Sequence, residues 1–301
     1  MNTIEPGLAA VLDAYRVCEF TTLAKDGTPL TWPAAPLRRP DGTLLVTTSI
    51  AFPQKAFNVR RDGRVAMLFS DPTGSGLDSP PQILVRGTAA CPDEIVSSPE
   101  GLEPYWRMLF HRRPGNRAHL RPPMTWLMDW YYLRLLISVT PTEVITLPAM
   151  NLTSAPATVE SEAPGAAELA RTPTAVLGAC DADGTPVLAR THAVPTSGGF
   201  TVEIPEGVTV AAGPASLLVH RHDENLAGLM NALIRGTLTA NTAGSWLLTP
   251  ERVVEPMPGN TPREQVAVLR ARRRAARAYL ARRGLRRPRV RWDLLRELAV
   301  S

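Results

Sequence analysis

LAKDGTPL, Leu23 to Leu30, returns later in the chain as CDADGTPVL, Cys180 to Leu188. The shared Asp-Gly-Thr-Pro cores begin at Asp26 and Asp183, 157 residues apart. Asp-Gly-x-Pro between apolar runs encodes a tight hairpin turn, because glycine accepts the positive φ that the reversal needs. Three further pairs follow in the same order. GRVAMLFSD (Gly63 to Asp71) is matched by GPASLLVHR (Gly213 to Arg221), and QILVRGTA (Gln82 to Ala89) by NALIRGTL (Asn231 to Leu238). TPTEVITL (Thr140 to Leu147) is matched by TPERVVEP (Thr249 to Pro256). The offset is 149 between Gly87 and Gly236 but only 109 between the Thr-Pro pairs, at Pro141 and Pro250. The first copy therefore holds an insertion, between about Cys91 and Trp130. A repeat this long is a duplicated domain, not a solenoid unit.

Between the anchors lie short runs rich in β-branched residues: Glu19 to Leu23, Leu30 to Leu37, Thr43 to Ser49, Val65 to Ser70, Ile83 to Ala89 and Leu135 to Leu147. Short strands with turn residues between them predict an antiparallel barrel or sandwich. Pro6 with Leu8, Val11, Leu12 and Tyr15 predicts a leading helix, and Gln54 to Arg61 a second one packed across the barrel. The expected organisation is mainly β: a first barrel over 1–150 with its insertion at about 91–130, an Ala/Pro/Ser/Glu-rich linker over 151–172, a second barrel over 173–258 and a basic helical tail over 259–301.

The chain has 301 residues, 44% of them hydrophobic, enough for two ordinary cores. No run approaches the ~18 apolar residues of a membrane span, and the N-terminus shows no secretory pattern. The three cysteines, Cys18, Cys91 and Cys180, are too few and too scattered for a disulfide framework or a metal motif. A soluble cytoplasmic protein is the expectation. The net charge of +5 is uneven: residues 263–301 hold 13 arginines and 3 acids, so the remainder is mildly acidic. Lysine occurs only at Lys25 and Lys55.

LLVTTSIAFPQKAFNVRRDGRVAMLF, Leu44 to Phe69, runs from a strand through small hydroxyl residues into a short basic helix, a turn and another strand. Thr47, Thr48 and Ser49 offer donors at a strand end, and Lys55 follows, with Asn58, Arg60 and Arg61 beyond it. Converging donors plus a cation suit a phosphate. A strand followed by a solvated basic helix has the same spacing.

The order of hydroxyl strand end, Lys, Asn, Arg-rich turn, strand and Gln-x-x-x-x-Gly resembles the pyridoxamine 5′-phosphate oxidase-like superfamily of FMN-binding split barrels. The resemblance covers Val17 to Ala90, and more weakly the strands of the second copy. It implies that Thr47, Thr48, Ser49 and Lys55 hold a flavin phosphate, and that Gln82 contacts the flavin. Trp32 and Pro33 would wall the ring; plain core packing of Trp32 is the alternative. TWPAAPLRR lacks the basic pattern of true pyridoxamine phosphate oxidases, and their C-terminal Arg-Leu-x-Pro signature is missing. A relaxed flavin pocket or a deazaflavin groove is therefore implied. In place of the cradle the second copy has EIPEGVTVAA, with Glu203 and Glu206, and Asn231 replaces Gln82. Acids there would repel a phosphate. At most one competent site per chain is implied, and since such barrels pair around their sites, the two copies would form a pseudo-dimer; a homodimer of whole chains stays open.

The insertion gathers Tyr105, Trp106, Phe110, Trp126, Trp130, Tyr131 and Tyr132 among Arg107, Arg112, Arg113, Arg117 and Arg121. It reads as an aromatic, basic lid over a substrate pocket or as a packing flap between the barrels. His220 and His222 flank Arg221, and two ligands without a third at motif spacing predict surface histidines and no metal. His111 and His119 are the haem-ligand candidates, because some split barrels bind haem. The tail has no base-reading signature, so a docked helix with a solvated basic face is expected and nucleic acid is not. The sequence declares no catalytic acid, base or nucleophile. The expected function is a flavin- or deazaflavin-dependent oxidoreductase acting on a small organic substrate. The alternatives are a non-catalytic flavin or haem carrier, or an interaction protein using its basic tail.

Overall fold

The computed structural model describes residues 4–150, 161–226, 230–241, 244–254 and 262–300. Part of the expected linker, 151–160, and the approach to the tail, 255–261, lie outside them. The first copy folds as β1 (Cys18–Leu23), β2 (Pro29–Ala34), β3 (Leu37–Arg38), β4 (Leu44–Ser49), β5 (Arg64–Phe69), β6 (Gln82–Ala90) and β7 (Arg134–Leu147). The second supplies β8 (Ala175–Cys180), β9 (Pro186–Thr191), β10 (Ala193–Thr196), β11 (Gly199–Val202), β12 (Gly213–Arg221), β13 (Met230–Ala240) and β14 (Trp246–Val254). Each set forms one seven-stranded antiparallel sheet. The orders are β2-β1-β5-β6-β7-β4-β3 and, read from the corresponding edge, β9-β8-β12-β13-β14-β11-β10, which are the same order strand for strand.

The connectivity explains why the sheets curl. Strands β2 and β3 lie at opposite edges of the first sheet, yet only Ala35 and Pro36 separate them in the chain. In the second sheet a single residue, His192, separates the edge strands β9 and β10. Short connections between opposite edges require each sheet to roll until those edges approach, which removes exposed edges. The mainly β, two-split-barrel fold is thus present, with one refinement. The expected Leu30–Leu37 strand breaks in two, because the chain passes from one edge to the other at Pro36, which has no N–H for the ladder.

The repeated motifs have matched structural roles. At Arg86/Gly87 and at Arg235/Gly236 the register shifts against the Thr-Pro strand, so that Gly87 faces Pro141 and Gly236 faces Pro250. A Cβ on either glycine would collide with the carbonyl oxygen of Thr140 or Thr249. Glycine is needed because a second backbone approaches closely at the bulge.

Helix α1 (Pro6–Ala14) starts with proline in its first turn, where no N–H is missed, and buries Ala9 and Leu12. Helix α2 (Gln54–Arg61) crosses the first barrel and buries Ala56, Asn58 and Val59. The insertion forms α3 (Glu103–Arg112), a 3-10 turn (Pro114–Leu120), α4 (Met124–Leu127) and α5 (Asp129–Tyr132). Helix α6 (Ala166–Leu169) seats Leu169 in the second core, so the end of the expected linker packs on that barrel. The tail supplies α7 (Pro262–Arg282) and α8 (Trp292–Val300). It folds back on the first barrel: Ala276, Tyr279 and Leu280 join its core, and Tyr279 stacks on Phe57 at 5.8 Å. Leu295 and Ala299 of α8 pack with Leu102, Tyr105, Trp106 and Phe110. The insertion is thus capped by α8 on one side, while Tyr105, Leu109 and Arg113 share a cavity wall with Leu226 of the second copy. Several tail arginines are engaged within the chain: Arg287 pairs with Asp129 at 2.6 Å, Arg283 with Asp93, and Arg273 donates to the Trp126 carbonyl at 3.0 Å. No helix among the described residues is long and apolar enough to cross a membrane.

The barrels meet through β2 against β12 and, reciprocally, β9 against β5. Leu30, Trp32, Ala66 and Leu68 pack with Val187, Leu188, Leu218 and Leu233 across this seam. The bulge arginines also reach across it. Arg235 pairs with Asp26 in the first hairpin turn at 2.7 Å, and Arg86 pairs with Asp181 in the second.

Candidate functional site

Strand β4 ends in Thr47, Thr48 and Ser49 because β-branched and small hydroxyl residues suit a pleated strand whose last turns face a cavity. All three line a cavity of about 200 Å³, together with Trp32, Pro33, Phe52, Lys55, Tyr131, Arg134 and Asn231. A neighbouring cavity of about 130 Å³ shares Pro33, Thr47, Lys55, Tyr131 and Arg134, and adds Tyr105 and Arg113. Five of the seven residues expected at a cofactor site, Trp32, Thr47, Thr48, Ser49 and Lys55, are therefore brought together.

The hydroxyls differ in what they have left to give. Thr48 Oγ1 donates to the Phe52 carbonyl at 2.8 Å, so it offers only lone pairs. Ser49 Oγ accepts from the Ala51 N–H at 3.3 Å and keeps its proton to donate. Thr47 Oγ1 shares a 2.8 Å hydrogen bond with the Tyr105 hydroxyl. The Lys55 ammonium lies 5.4 Å from the centre of the Trp32 ring, an attractive placement for a cation beside a π face.

Arg134, the first residue of β7, was not singled out in the sequence. It is buried, and its guanidinium stacks 4.1 Å from the Tyr131 ring centre and 5.4 Å from that of Trp106. No acidic side chain among the described residues pairs with it, and its Nε is buried with no hydrogen-bond partner. Burial pushes the Arg134 pKa down, but Tyr131 and Tyr105 outweigh it and the net shift is up. Burial pushes the Tyr131 phenol up, and Arg134 and Arg113 more than reverse this, leaving it below its ordinary value. The signal for Arg134 was the sequence WYYLRL, an arginine at the junction of an aromatic run and a strand.

Two expected residues lie elsewhere. Asn58 is fully buried under the barrel: it donates to Thr22 Oγ1 at 2.9 Å and accepts from Gln54 at 2.8 Å. It fixes α2 to β1 and does not line the cavity. Gln82 donates to the Pro148 carbonyl at 2.9 Å and lines a different cavity of about 300 Å³, with Arg190, Thr191, His192, Glu203 and Glu206. That cavity is the counterpart of the first one: β9 stands for β2, the end of β11 for the end of β4, and the start of β6 for the start of β13. Each cavity takes the residue that opens β6 or β13 from the opposite barrel. Asn231 therefore serves the Lys55 cavity, and Gln82 serves the acidic one.

A third cavity, of about 720 Å³, runs along the seam past Trp32 and is lined by Lys25, Leu30 and Gln54 from the first barrel and Leu233, Arg235 and Val254 from the second. Trp32 lines both this groove and the Lys55 cavity. Of the haem-ligand candidates, His111 is exposed, and the His119 ring packs edge-on against Tyr131 and Tyr132.

His220 and His222 are not surface residues. His220 is 4% exposed and His222 9%. His220 Nε2 lies 2.8 Å from Glu19 Oε1, and Glu19 also accepts from Arg190 at 2.7 Å and Ser70 at 2.8 Å. Burial pushes the Glu19 carboxyl up, but Arg190, His220 and Ser70 outweigh it and hold it below its ordinary value. These groups come from both barrels, so the end of β12 is covered by the seam and finds its polar partners there.

No protein-family profile matches the sequence, and no curated protein matches it. Several solved structures are similar over about half of this chain. The protein Atu2129 of unknown function from Agrobacterium tumefaciens is 20% identical with a TM-score of 0.33, and 48% of this chain covers 56% of it. A putative pyridoxamine 5′-phosphate oxidase from Listeria innocua is 19% identical (TM-score 0.30), with 47% of this chain covering 95% of that one. An F420 reductase is 23% identical (TM-score 0.33), with coverages of 47% and 98%.

Proposed function

We propose that the first barrel binds a phosphate-bearing flavin, FMN or a deazaflavin, and that the protein is an oxidoreductase acting on a small organic substrate. The observation that carries this reading is the convergence of Lys55, Arg134 and Arg113 on joined cavities with no carboxylate in their lining. A buried guanidinium without a counter-ion is costly, and an anion held by it relieves that cost. The donors left over, Arg134 Nε and the Ser49 hydroxyl, fit phosphate oxygens. When bound, a flavin supplies the hydride or electron transfer. The residues of this chain bind and orient it: Lys55 and Arg134 fix the charged end, Trp32 and Pro33 form an apolar wall, and Asn231 reaches in from the second barrel. The seam groove beyond Trp32 gives room for the remainder of a ligand that outgrows the Lys55 cavity.

The test is an absorbance titration of the full chain with FMN and with a deazaflavin, beside Lys55→Ala and Gln82→Ala. The expected result is a shifted bound spectrum, weakened roughly tenfold or more by Lys55→Ala and unchanged by Gln82→Ala. Reduction of the bound cofactor by a nicotinamide and reoxidation by an organic acceptor would mark an enzyme, and binding without turnover a carrier. Absence of binding to both cofactors would overturn the reading.

A further inference from the structure

The seam holds a second group of chemically capable residues, separate from the cationic cavity. Asp71 follows β5 of the first barrel, while His220 is the penultimate residue of β12 and His222 follows that strand in the second. All three are buried, and one ligand atom from each lies within 4.8 Å of the others. The histidines are parallel, with ring centres 6.2 Å apart.

Their hydrogen bonds fix which ring nitrogens carry protons. His220 Nε2 lies 2.8 Å from a Glu19 carboxylate oxygen, which can only accept, and 3.2 Å from Arg190 Nη2, which can only donate. The shorter contact governs, because a bare Nε2 would set a lone pair against the carboxylate, and Arg190 gives its N–H to Glu19 instead. The Nε2 proton is therefore in place, and Nδ1 of the neutral ring is a bare lone pair. His222 Nδ1 lies 3.0 Å from the Asp223 carbonyl, which also only accepts, so in the neutral ring Nε2 is the bare nitrogen. Both left-over nitrogens, His220 Nδ1 and His222 Nε2, are buried without a hydrogen-bond partner. His222 Nε2 faces Asp71 Oδ2 at 3.5 Å, beyond hydrogen-bond length. Two imidazoles and a carboxylate gathered this closely out of water, each imidazole with one nitrogen left unpartnered, are costly to bury unless a cation completes the group. A histidine that gives its other N–H to a carboxylate or a backbone carbonyl is also in the tautomer and orientation of a metal ligand.

We propose that Asp71, His220 and His222 bind a divalent transition-metal ion of the zinc class at the barrel seam. Two nitrogens and one oxygen suit zinc and its first-row neighbours, and exclude calcium and magnesium, which take oxygen ligands. Glu19 is the positioning residue behind His220, and the Asp223 carbonyl plays that part for His222. Because Asp71 belongs to one barrel and both histidines to the other, the ion is a clamp between them. Three protein ligands leave a coordination position for water. None of Asp71, His220 and His222 lines the Lys55 cavity, so the ion site stands apart from the flavin cradle.

The experiment uses the full chain, stripped with a chelator and dialysed. Zinc is titrated by calorimetry with thermal melting, and cobalt(II) is added separately to read its visible ligand-field bands. One zinc per chain with a raised Tm, and cobalt bands displaced by zinc, are expected. His222→Ala should lose affinity roughly tenfold or more and lose the cobalt bands, while Lys55→Ala keeps both. Failure of the wild-type chain to take up zinc stoichiometrically overturns the proposal, as does binding that survives in both His222→Ala and Asp71→Asn. If His222→Ala does not fold, Asp71→Asn and the wild-type cobalt spectrum decide.

Discussion

At the end of β4 the first barrel surrounds its cavity with Lys55, Arg134 and three hydroxyl residues, whereas at the end of β11 the second places Glu203 and Glu206. The strands around the two cavities correspond one to one, and each cavity borrows a residue from the opposite barrel. Part of the difference lies in strand residues, with Thr47 to Ser49 ending β4 and Arg134 opening β7, and part in what joins the strands. Between β4 and β5 the chain makes α2 and presents Lys55; between β11 and β12 it crosses residues 203–212 without a helix. The insertion, present only in the first barrel, then brings Tyr105, Arg113 and Tyr131 to the cavity wall and stacks Tyr131 on Arg134. Backbone demands keep the sheets alike, because a changed bulge would cost the fold, while strand-end side chains and connections are free to diverge in charge.

The most direct way to break this comparison is to remove Arg134, the buried cation that pairs with no carboxylate among the described residues. Arg134→Met keeps apolar bulk between Tyr131 and Trp106 but removes the buried charge. Affinity for a phosphate-bearing flavin is expected to fall about a hundredfold, corresponding to a charge-assisted contact of about 3 kcal/mol. Fluorescence titration measures it. An unchanged affinity would mean that the charge asymmetry of the cavities has no bearing on binding.

The structural half of the comparison is tested at the bulges. Gly87→Ala and Gly236→Ala each force a Cβ into a facing carbonyl oxygen, and each is expected to destabilise its barrel by about 2 kcal/mol. Chemical denaturation should show similar losses for both. A large loss at one and none at the other would mean that the matched corners are not equivalent.

These corners were also the most legible part of the sequence. Asp-Gly-x-Pro and the Arg-Gly and Thr-Pro pairs are dictated by local backbone geometry, so they survive in both copies and reveal the duplication. Helix α2, Thr47 to Ser49, Lys55 and Trp32 were legible because they lie close together in one strand–helix–strand segment and its neighbour. Arg134 was not, since its place depends on the insertion folding back so that Tyr131 and Trp106 cover it. Asn58 carries the polarity of a site residue, but its amide is used to tie α2 to Thr22. The burial of His220 and His222 depends on Glu19, Asp71 and Arg190, which are distant in sequence and meet only when the barrels dock.

The exchange of residues between barrels gives a sharper and smaller prediction. Asn231→Ala should weaken flavin binding several-fold, by about 1 kcal/mol for one neutral hydrogen bond, whereas Gln82→Ala should leave it within error. The reverse result would place the glutamine at the cofactor, as the sequence suggested, and would remove the reciprocal arrangement of the cavities.

The smallest expected effect concerns the pairs that hold the barrels in register, Arg235 with Asp26 and Arg86 with Asp181. The hydrogen bond from Arg235 is the main cause that lowers the Asp26 carboxyl from 3.8 to about 2. For Asp181, burial pushes the carboxyl up, but the Thr185 N–H and Arg86 outweigh it and the net shift is down. A carboxyl whose folded pKa lies below its unfolded one contributes stability above the unfolded value, and that contribution is lost as pH falls through the folded one. The seam should therefore weaken as pH drops from about 4 toward 2. Asp26→Asn and Asp181→Asn should each lower stability by about 0.5 kcal/mol at neutral pH, because water screens such pairs. Each should also flatten the acid limb of a plot of Tm against pH. High salt should reproduce part of the loss at neutral pH in the wild type and less of it in the double variant. If the two substitutions act alike, the barrels are clasped symmetrically and differ only in what their cavities hold; if only one acts, the asymmetry extends from the cavities into the seam itself.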